Sequence, residues 1–529
     1  MKRTRLISVC FTALLLLSGC SNPLKQPPVD VFSSQSAADS PFPRFDLAAL
    51  QTRIEYLKSI WTEPDKEKEI KDLIQELLDA ENEAYAINVR AELAYRAKWS
   101  DQNLYEANST TWEDYCVADE MLAWAFANGK KYSAYQDLFT DYVNDSWGDY
   151  YIINSLTRVM SSARINSTEH TELMDQYYDT AYDADISTDE SNMECAKLYL
   201  DVLETYDLSD FLYSSYCRDY TAEQASDVAD SVLEKIVPVY QMLYDDIVAD
   251  PLYNKMAEGK CDKIDAYALL KEYAPRISPA IAESVDVLFS EKLYQIAKGD
   301  DCYDGCYTVC LPGEKKALMY TFLADDFYDV ISVSHEFGHF HCDLGDETPI
   351  YQQYNCIDVA EAQSQGMEML FTRFYPEIFK EDAAFMEKLA IYNILGSVIA
   401  GLAIGQFEYQ VMQNAESYSA EDVLNCYDDI REQFDLSTEF YEITHLFEQP
   451  GYYVSYGISA LPAIQIYALM QENQEEAVSI YEKLSGISSF SGEMFFSEAM
   501  KTCNLRDPFA ADTIDYISDA IRQRLKALS

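Results

Sequence analysis

Apolar residues recur at helical spacing through most of this chain. Leu47, Leu50, Ile54, Leu57 and Ile60 lie three or four residues apart, on one face of a predicted helix. Glu67 to Trp99 continues as a long helical pattern with neither Gly nor Pro. Helix-like segments follow through the 110s to the 240s, divided by turn signals such as Asn128-Gly129 and Asp207-Leu-Ser209. Nothing repeats at a fixed period. The main exception to helix is Asp301 to Phe322. There Cys306-Tyr-Thr-Val-Cys-Leu-Pro and Ala317-Leu-Met-Tyr-Thr-Phe predict two strands joined by Pro312-Gly313-Glu-Lys. With 16 Pro and 17 Gly in 529 residues, the pattern predicts a mainly α protein.

The first residues have a different character. Met1 to Arg5 is basic and Leu6 to Gly19 is a short apolar run. The run falls short of the ~20 apolar residues that span a bilayer and reads as a signal peptide. It closes on Leu17-Ser-Gly-Cys20, which resembles the bacterial lipoprotein processing signal and implies a mature chain starting at a lipidated Cys20. The expected location is the bacterial cell envelope, outside the cytoplasm. No other stretch reads as long and apolar enough for a membrane helix. Residues 20–44, with Pro23, Pro27, Pro28, Pro41 and Pro43, predict an extended tether. The size implies more than one core, and we place an N-terminal helical region at 45–215 and a second region at 216–529.

Charge narrows the partners. Asp and Glu number 91 against 39 Lys and Arg, a formal net charge of −52. Such a surface repels nucleic acid, keeps the chain soluble and favours basic peptides if it favours any. Thirteen cysteines become eleven once Cys10 leaves with the signal and Cys20 is lipidated, so one thiol at least is free or paired between chains. Cys302, Cys306 and Cys310 read as small core residues or one local disulfide rather than a metal site, since no histidine is near.

The chemistry concentrates in Ser334-His335-Glu336-Phe337-Gly338-His339. On a helix, residues four apart share a face, so His335 and His339 present two imidazoles to one point, which suits Zn²⁺. Glu336 stands where it can take a proton from water beside the metal. Two histidines on a partly buried helix are the bland alternative. Against it, the chain holds only five His and three of them fall between His335 and His341. Gly338 costs ~1 kcal/mol against Ala, which makes sense if another chain passes close by. Downstream, Glu361, Ser364, Gln365 and Glu368 form a polar stripe on an otherwise apolar helix. Alone, that stripe reads as a solvent face. Beside the two histidines, it reads as Glu361 completing a His-His-Glu site while Glu368 orients a ligand histidine.

Together these residues resemble the thimet oligopeptidase and oligoendopeptidase F family of zinc metallopeptidases. The resemblance extends upstream through Gly305-Cys-Tyr-Thr-Val-Cys-Leu-Pro312 and Ala317-Leu-Met-Tyr-Thr-Phe-Leu323. Downstream it runs through His445-Leu-Phe-Glu-Gln-Pro-Gly-Tyr452-Tyr453-Val-Ser-Tyr456, with a weaker echo at Phe495 to Leu505. It covers roughly residues 300 to 525. One departure is Cys342, where the family often has another histidine. The resemblance implies two helical lobes flanking a deep substrate channel, with a small antiparallel sheet next to the zinc helix. It also implies that the sheet edge pairs with the substrate backbone.

Aromatic packing at a helix start would explain the tyrosines after Pro450-Gly451. With the resemblance, they read as donors to the oxyanion formed when water attacks a peptide carbonyl: Tyr456 and Tyr453, with His445 as a further contact. The expected protein is a lipid-anchored zinc oligoendopeptidase with one Zn²⁺ per chain, acting on short unstructured peptides. A peptidyl-dipeptidase of related fold, or a lipid-anchored peptide-binding protein with a vestigial zinc site, are the alternatives. If Cys20 carries the anchor, Cys20→Ser releases the protein from the membrane fraction or leaves it unprocessed. A matured Cys20→Ser variant that stays membrane-bound through high-salt washing would refute the anchor.

Overall fold

The structure is a computed structural model that describes residues 41–143, 150–153, 155–162, 169–183, 186–206 and 216–529. The signal run, Cys20, the tether up to residue 40, the Asp207 turn signal and the boundary near 215 lie outside the described residues. Arg44, at the end of the expected tether, is pinned: its Nε and Nη2 each lie 2.5 Å from the buried Asp114 carboxylate.

Helices dominate, as the apolar spacing predicts. The first three are α1 (Leu47–Ile60), α2 (Glu67–Arg96) and α3 (Gln102–Tyr132). Asp46 and Asp101 cap α1 and α3 by accepting backbone N–H bonds. The turn expected at Asn128-Gly129 does not form, and α3 runs through it. Asn128 Nδ2 donates to Trp124 O instead, and a side chain at Gly129 would strike the Phe139 ring. Packing overrides the local turn preference here.

Strands β1 (Tyr294–Ala297), β2 (Cys306–Leu311) and β3 (Lys316–Phe322) form one sheet in the order β1-β3-β2. The expected hairpin is β2–β3, antiparallel with Thr308 opposite Met319. The sheet is nevertheless mixed, because β1 joins β3 in parallel. Four residues are too few for β1 to show a period in the sequence. β2 occupies an edge, and the sheet packs against α4 (Tyr328–Asp343).

Beyond α4 come α5 (Ile357–Phe371), α6 (Ala383–Asn414) and α7 (Tyr453–Glu472). Contrary to the sequence expectation, α6 and α7 are long and apolar enough to cross a membrane. Their most apolar stretches are 89% and 94% buried, so both are core helices. The one carboxylate that α6 buries deeply near its start, Glu387, is held by two 2.7 Å bonds from Arg524. The buried apolar residues divide into two cores. The smaller runs from Leu50 to Val159, and the larger takes in the far half of α2 and everything from Met174 onward. Helix Thr188–Glu204 packs on helices of the C-terminal half.

Two glycines set the crossing of α6 and α7. A Cβ on Gly401 would lie 2.3 Å from Gly457 N. Gly401→Ala gains up to ~1 kcal/mol of helix propensity. It must also force the two packed backbones apart, an overpacking cost of about 1–3 kcal/mol or more. The expected net result is a lower Tm; a raised Tm would show that the crossing relaxes freely.

Candidate active site

The start of α4 is built by its own acidic residues. Asp329 accepts from the backbone N–H groups of Ala324 and Asp325 at 3.0 and 2.7 Å, and Asp326 accepts from Tyr328 N at 2.8 Å. This fixes the rotation of α4, and with it the direction of His335 and His339. The backbone of α5 passes directly beneath: a Cβ on Gly338 would lie 2.7 Å from Ser364 Cα. Glycine at 338 is what lets the two helices approach.

At that crossing His335, His339 and Glu361 bring one ligand atom each to within 4.8 Å of one another, all three buried. Glu361 Oε2 stands 3.4 Å from His335 Nε2 and 3.8 Å from His339 Nε2. Its other oxygen accepts from Tyr452 Oη at 3.2 Å. Glu368 lies behind His335, with Oε1 2.5 Å from Nδ1, which directs Nε2 into the site. His335 Nε2 is buried without a hydrogen bond, its contact with Glu361 being poorly aligned for one. Two imidazole nitrogens and a carboxylate oxygen converging in this way fit Zn²⁺, which catalytic sites hold with three such protein ligands.

The charge states of His339 and Glu361 suit ligation. Burial depresses His339 to about 4, which keeps its imidazole neutral near pH 7. Burial works against charge on Glu361 too, but His335 and His339 outweigh it and hold the carboxyl at about 2. Burial also opposes charge on His335. Glu361 and Glu368 prevail and push its pKa well above the ordinary value, so positive charge is favoured at this point.

Glu336 is fully buried on the same helix. Thr308 of β2 places its hydroxyl 2.8 Å from Glu336 Oε2 and 3.0 Å from the Glu336 carbonyl. Burial raises the Glu336 carboxyl to about 7, against the pull of His335 and Thr308. A group poised there can take a proton and return it.

His445 and the tyrosines approach from the other side. His445 Nε2 and Tyr456 Oη are 3.5 Å apart, and His445 Nδ1 lies 3.2 Å from Glu448. Glu448 also accepts from Tyr178. Tyr453 packs its ring against His445 and Tyr456, at centroid distances of 5.6 and 5.8 Å. Two contacts were not anticipated from sequence: Thr308 on Glu336, and Tyr452 on Glu361. Spacing could have found the second. Tyr452 and Tyr456 are four apart with Tyr452 already in helical conformation, so they share a face that Tyr453 does not. His341 faces away, with Nδ1 2.8 Å from Ser284 Oγ.

A cavity of about 480 Å³ opens beside the site. α2 and α3 supply Tyr85, Glu92, Arg96, Trp112 and Tyr115; β2 supplies Tyr307 to Cys310; His339 also lines it. Among the described residues all eleven cysteines are free thiols. Cys302, Cys306 and Cys310 each point at a backbone carbonyl, and Cys356 lines the cavity with Cys217 against it.

No family model matches this sequence, and no curated protein does. Solved structures do match over nearly its whole length. A PZ peptidase A with a bound inhibitor superposes with a TM-score of 0.69 at 15% identity, covering 92% of this chain and 99% of that one. An oligoendopeptidase F from Bacillus anthracis gives 0.68 at 16%, covering 94% and 99%. A peptidase from Chlamydophila abortus gives 0.62 at 14%, covering 91% and 96%. The fold is that of the oligoendopeptidase F and PZ peptidase structures.

If Glu368 fixes the His335 ring, Glu368→Ala weakens Zn²⁺ binding about 10- to 100-fold in a chelator-competition titration. Unchanged affinity would leave the ring held by packing alone.

Proposed function

We propose that this chain is a zinc-dependent oligoendopeptidase that hydrolyses short unstructured peptides. The observation that carries the reading is the buried convergence of His335, His339 and Glu361 with Glu336 alongside. Likeness to peptidase structures over more than nine-tenths of the chain supports it.

One Zn²⁺ would be held by His335, His339 and Glu361, supplying positive charge that polarises the scissile carbonyl and acidifies water. The chain's own groups do the rest. Glu336 accepts the proton of the attacking water and delivers it to the leaving amine. Thr308 fixes one oxygen of the Glu336 carboxylate. Tyr456, backed by His445, donates to the oxygen that gains charge, and Tyr452 holds Glu361 in place. The edge of β2 offers backbone groups to an extended peptide, and the aromatic walls from α2 and α3 suit bulky apolar side chains.

Trimming dipeptides from a C-terminus would need a cation for the free carboxylate. Arg96 is the cation that the described residues place on the cavity wall. It is committed to Glu92 at 2.7 Å and lies over the Tyr303 and Tyr307 rings. That favours internal cleavage. A peptide-binding protein would have no use for Glu336. The lipoprotein-like Leu17-Ser-Gly-Cys20 supports a lipid-anchored enzyme outside the cytoplasm.

Purified protein is expected to hold about one Zn²⁺ per chain, and chelation to abolish cleavage of a peptide library. Glu336→Gln keeps zinc and peptide binding while turnover falls by ~10²–10⁴. Tyr456→Phe lowers kcat more than it raises KM, because its bond strengthens only as the oxyanion develops. An active Glu336→Gln enzyme would overturn the mechanism, and wild-type protein that binds zinc and peptides without cleaving them would favour the receptor.

A further inference from the structure

The five residues Tyr216 to Tyr220 lie well ahead of the motif-bearing stretch that starts near residue 300, yet they pack against it. Tyr216 Oη donates to Pro450 O at 3.1 Å, and Tyr220 Oη donates to Asp358 at 2.8 Å. Arg218 lies between them with its side chain wholly buried. Its Nη2 donates to Gly451 O and to Ser455 Oγ, both at 2.8 Å, and its Nε stands 3.4 Å from Asp358 Oδ2.

These partners sit on the two arms of the site. Asp358 is in the first turn of α5, one turn ahead of Glu361. Gly451 and Ser455 flank Tyr452, whose hydroxyl reaches Glu361, and lead into Tyr456. Gly451 has φ +83°, a left-handed turn that most residues resist. Its peptide groups are gripped from both sides. The N–H donates to the buried Glu408 at 2.6 Å, while the carbonyl accepts from Arg218.

We infer that Arg218 is a positioning residue that holds the tyrosine-bearing turn against the helix carrying Glu361, with Glu408 gripping the opposite side of the same turn. The inference rests on the peptidase reading of the site. A planar guanidinium spans the two arms because its fork is rigid: Nη2 bonds the turn while Nε faces the Asp358 carboxylate as an ion pair. A compact ammonium does not reach both in that geometry. Misplacing a group by about 1 Å costs on the order of 10²-fold in rate, so Tyr456 is sensitive to this clamp without touching Arg218.

The test uses the full-length protein and a short peptide that the wild type cleaves. Arg218→Lys is expected to lower kcat about 10- to 100-fold with KM within about twofold and zinc content unchanged. In a Tyr456→Phe background the same substitution should add less than about threefold, because the group it positions is already gone. Wild-type kcat, or the full loss repeated in that background, overturns the inference. Should Arg218→Lys fail to fold, Tyr216→Phe removes one donor to the turn and keeps the ring. It should show a smaller loss of the same non-additive kind, and no loss overturns the inference. Amide hydrogen exchange decides independently of catalysis. Exchange should quicken from Gly451 to Ser455 and in the first turn of α5 in the variant, and a uniform increase across the chain counts against the clamp. If the wild type itself cleaves nothing, the peptidase reading fails while the exchange result still settles the clamp.

Discussion

Five ionisable side chains, His335, Glu336, His339, Glu361 and Glu368, are buried around the crossing of α4 and α5. Taking that many charges from water is costly unless each meets a partner, and lone buried carboxylates tend to neutralise instead. The fold meets this demand locally. Glu368 and Glu361 bracket His335, Tyr452 and Ser364 each bond one oxygen of Glu361, and Thr308 bonds one oxygen of Glu336. The contacts of His335 with Glu361 and Glu368 need the two helices within a glycine's width of each other. Gly338 is therefore a structural condition of the chemistry.

Larger packing follows the same constraint. α7 brings Tyr456, and just ahead of it Tyr452, to the crossing, and α7 reaches there by lying on α6 through Gly401 and Gly457. Both helices are apolar on all faces because they are enclosed by protein. The sheet has a second task beyond closing the core: its edge strand β2 delivers Thr308 to Glu336 and forms one wall of the cavity.

The opposite wall is carried by α2, tied down at its middle and at its C-terminal end. Asn82 accepts from Ile350 N at 3.0 Å, and the Arg96 carbonyl accepts from Tyr320 Oη at 2.9 Å. Because α2 contributes to both cores, the smaller helical core and the catalytic body share one rigid element across the cavity.

Much of the site was legible in the primary structure because its chemistry is local. The His335–His339 pair depends only on helical spacing, and Glu361 with Glu368 on the same rule one helix later. Apolar spacing likewise determined the mainly helical class, and two short apolar runs joined at Pro312-Gly313 gave away the β2–β3 hairpin. Other features had no local signal. β1 is four residues long and exists because β3 offers an open edge. Asn128-Gly129 looks like a turn and is helix, because Phe139 packs where a side chain would have been. Thr308 and Arg218 lie 28 and 140 residues from the groups they serve, Glu336 and Asp358. Spacing along a helix encodes which side chains share a face, but partners on different elements are chosen by how those elements cross, and only the tertiary structure decides that.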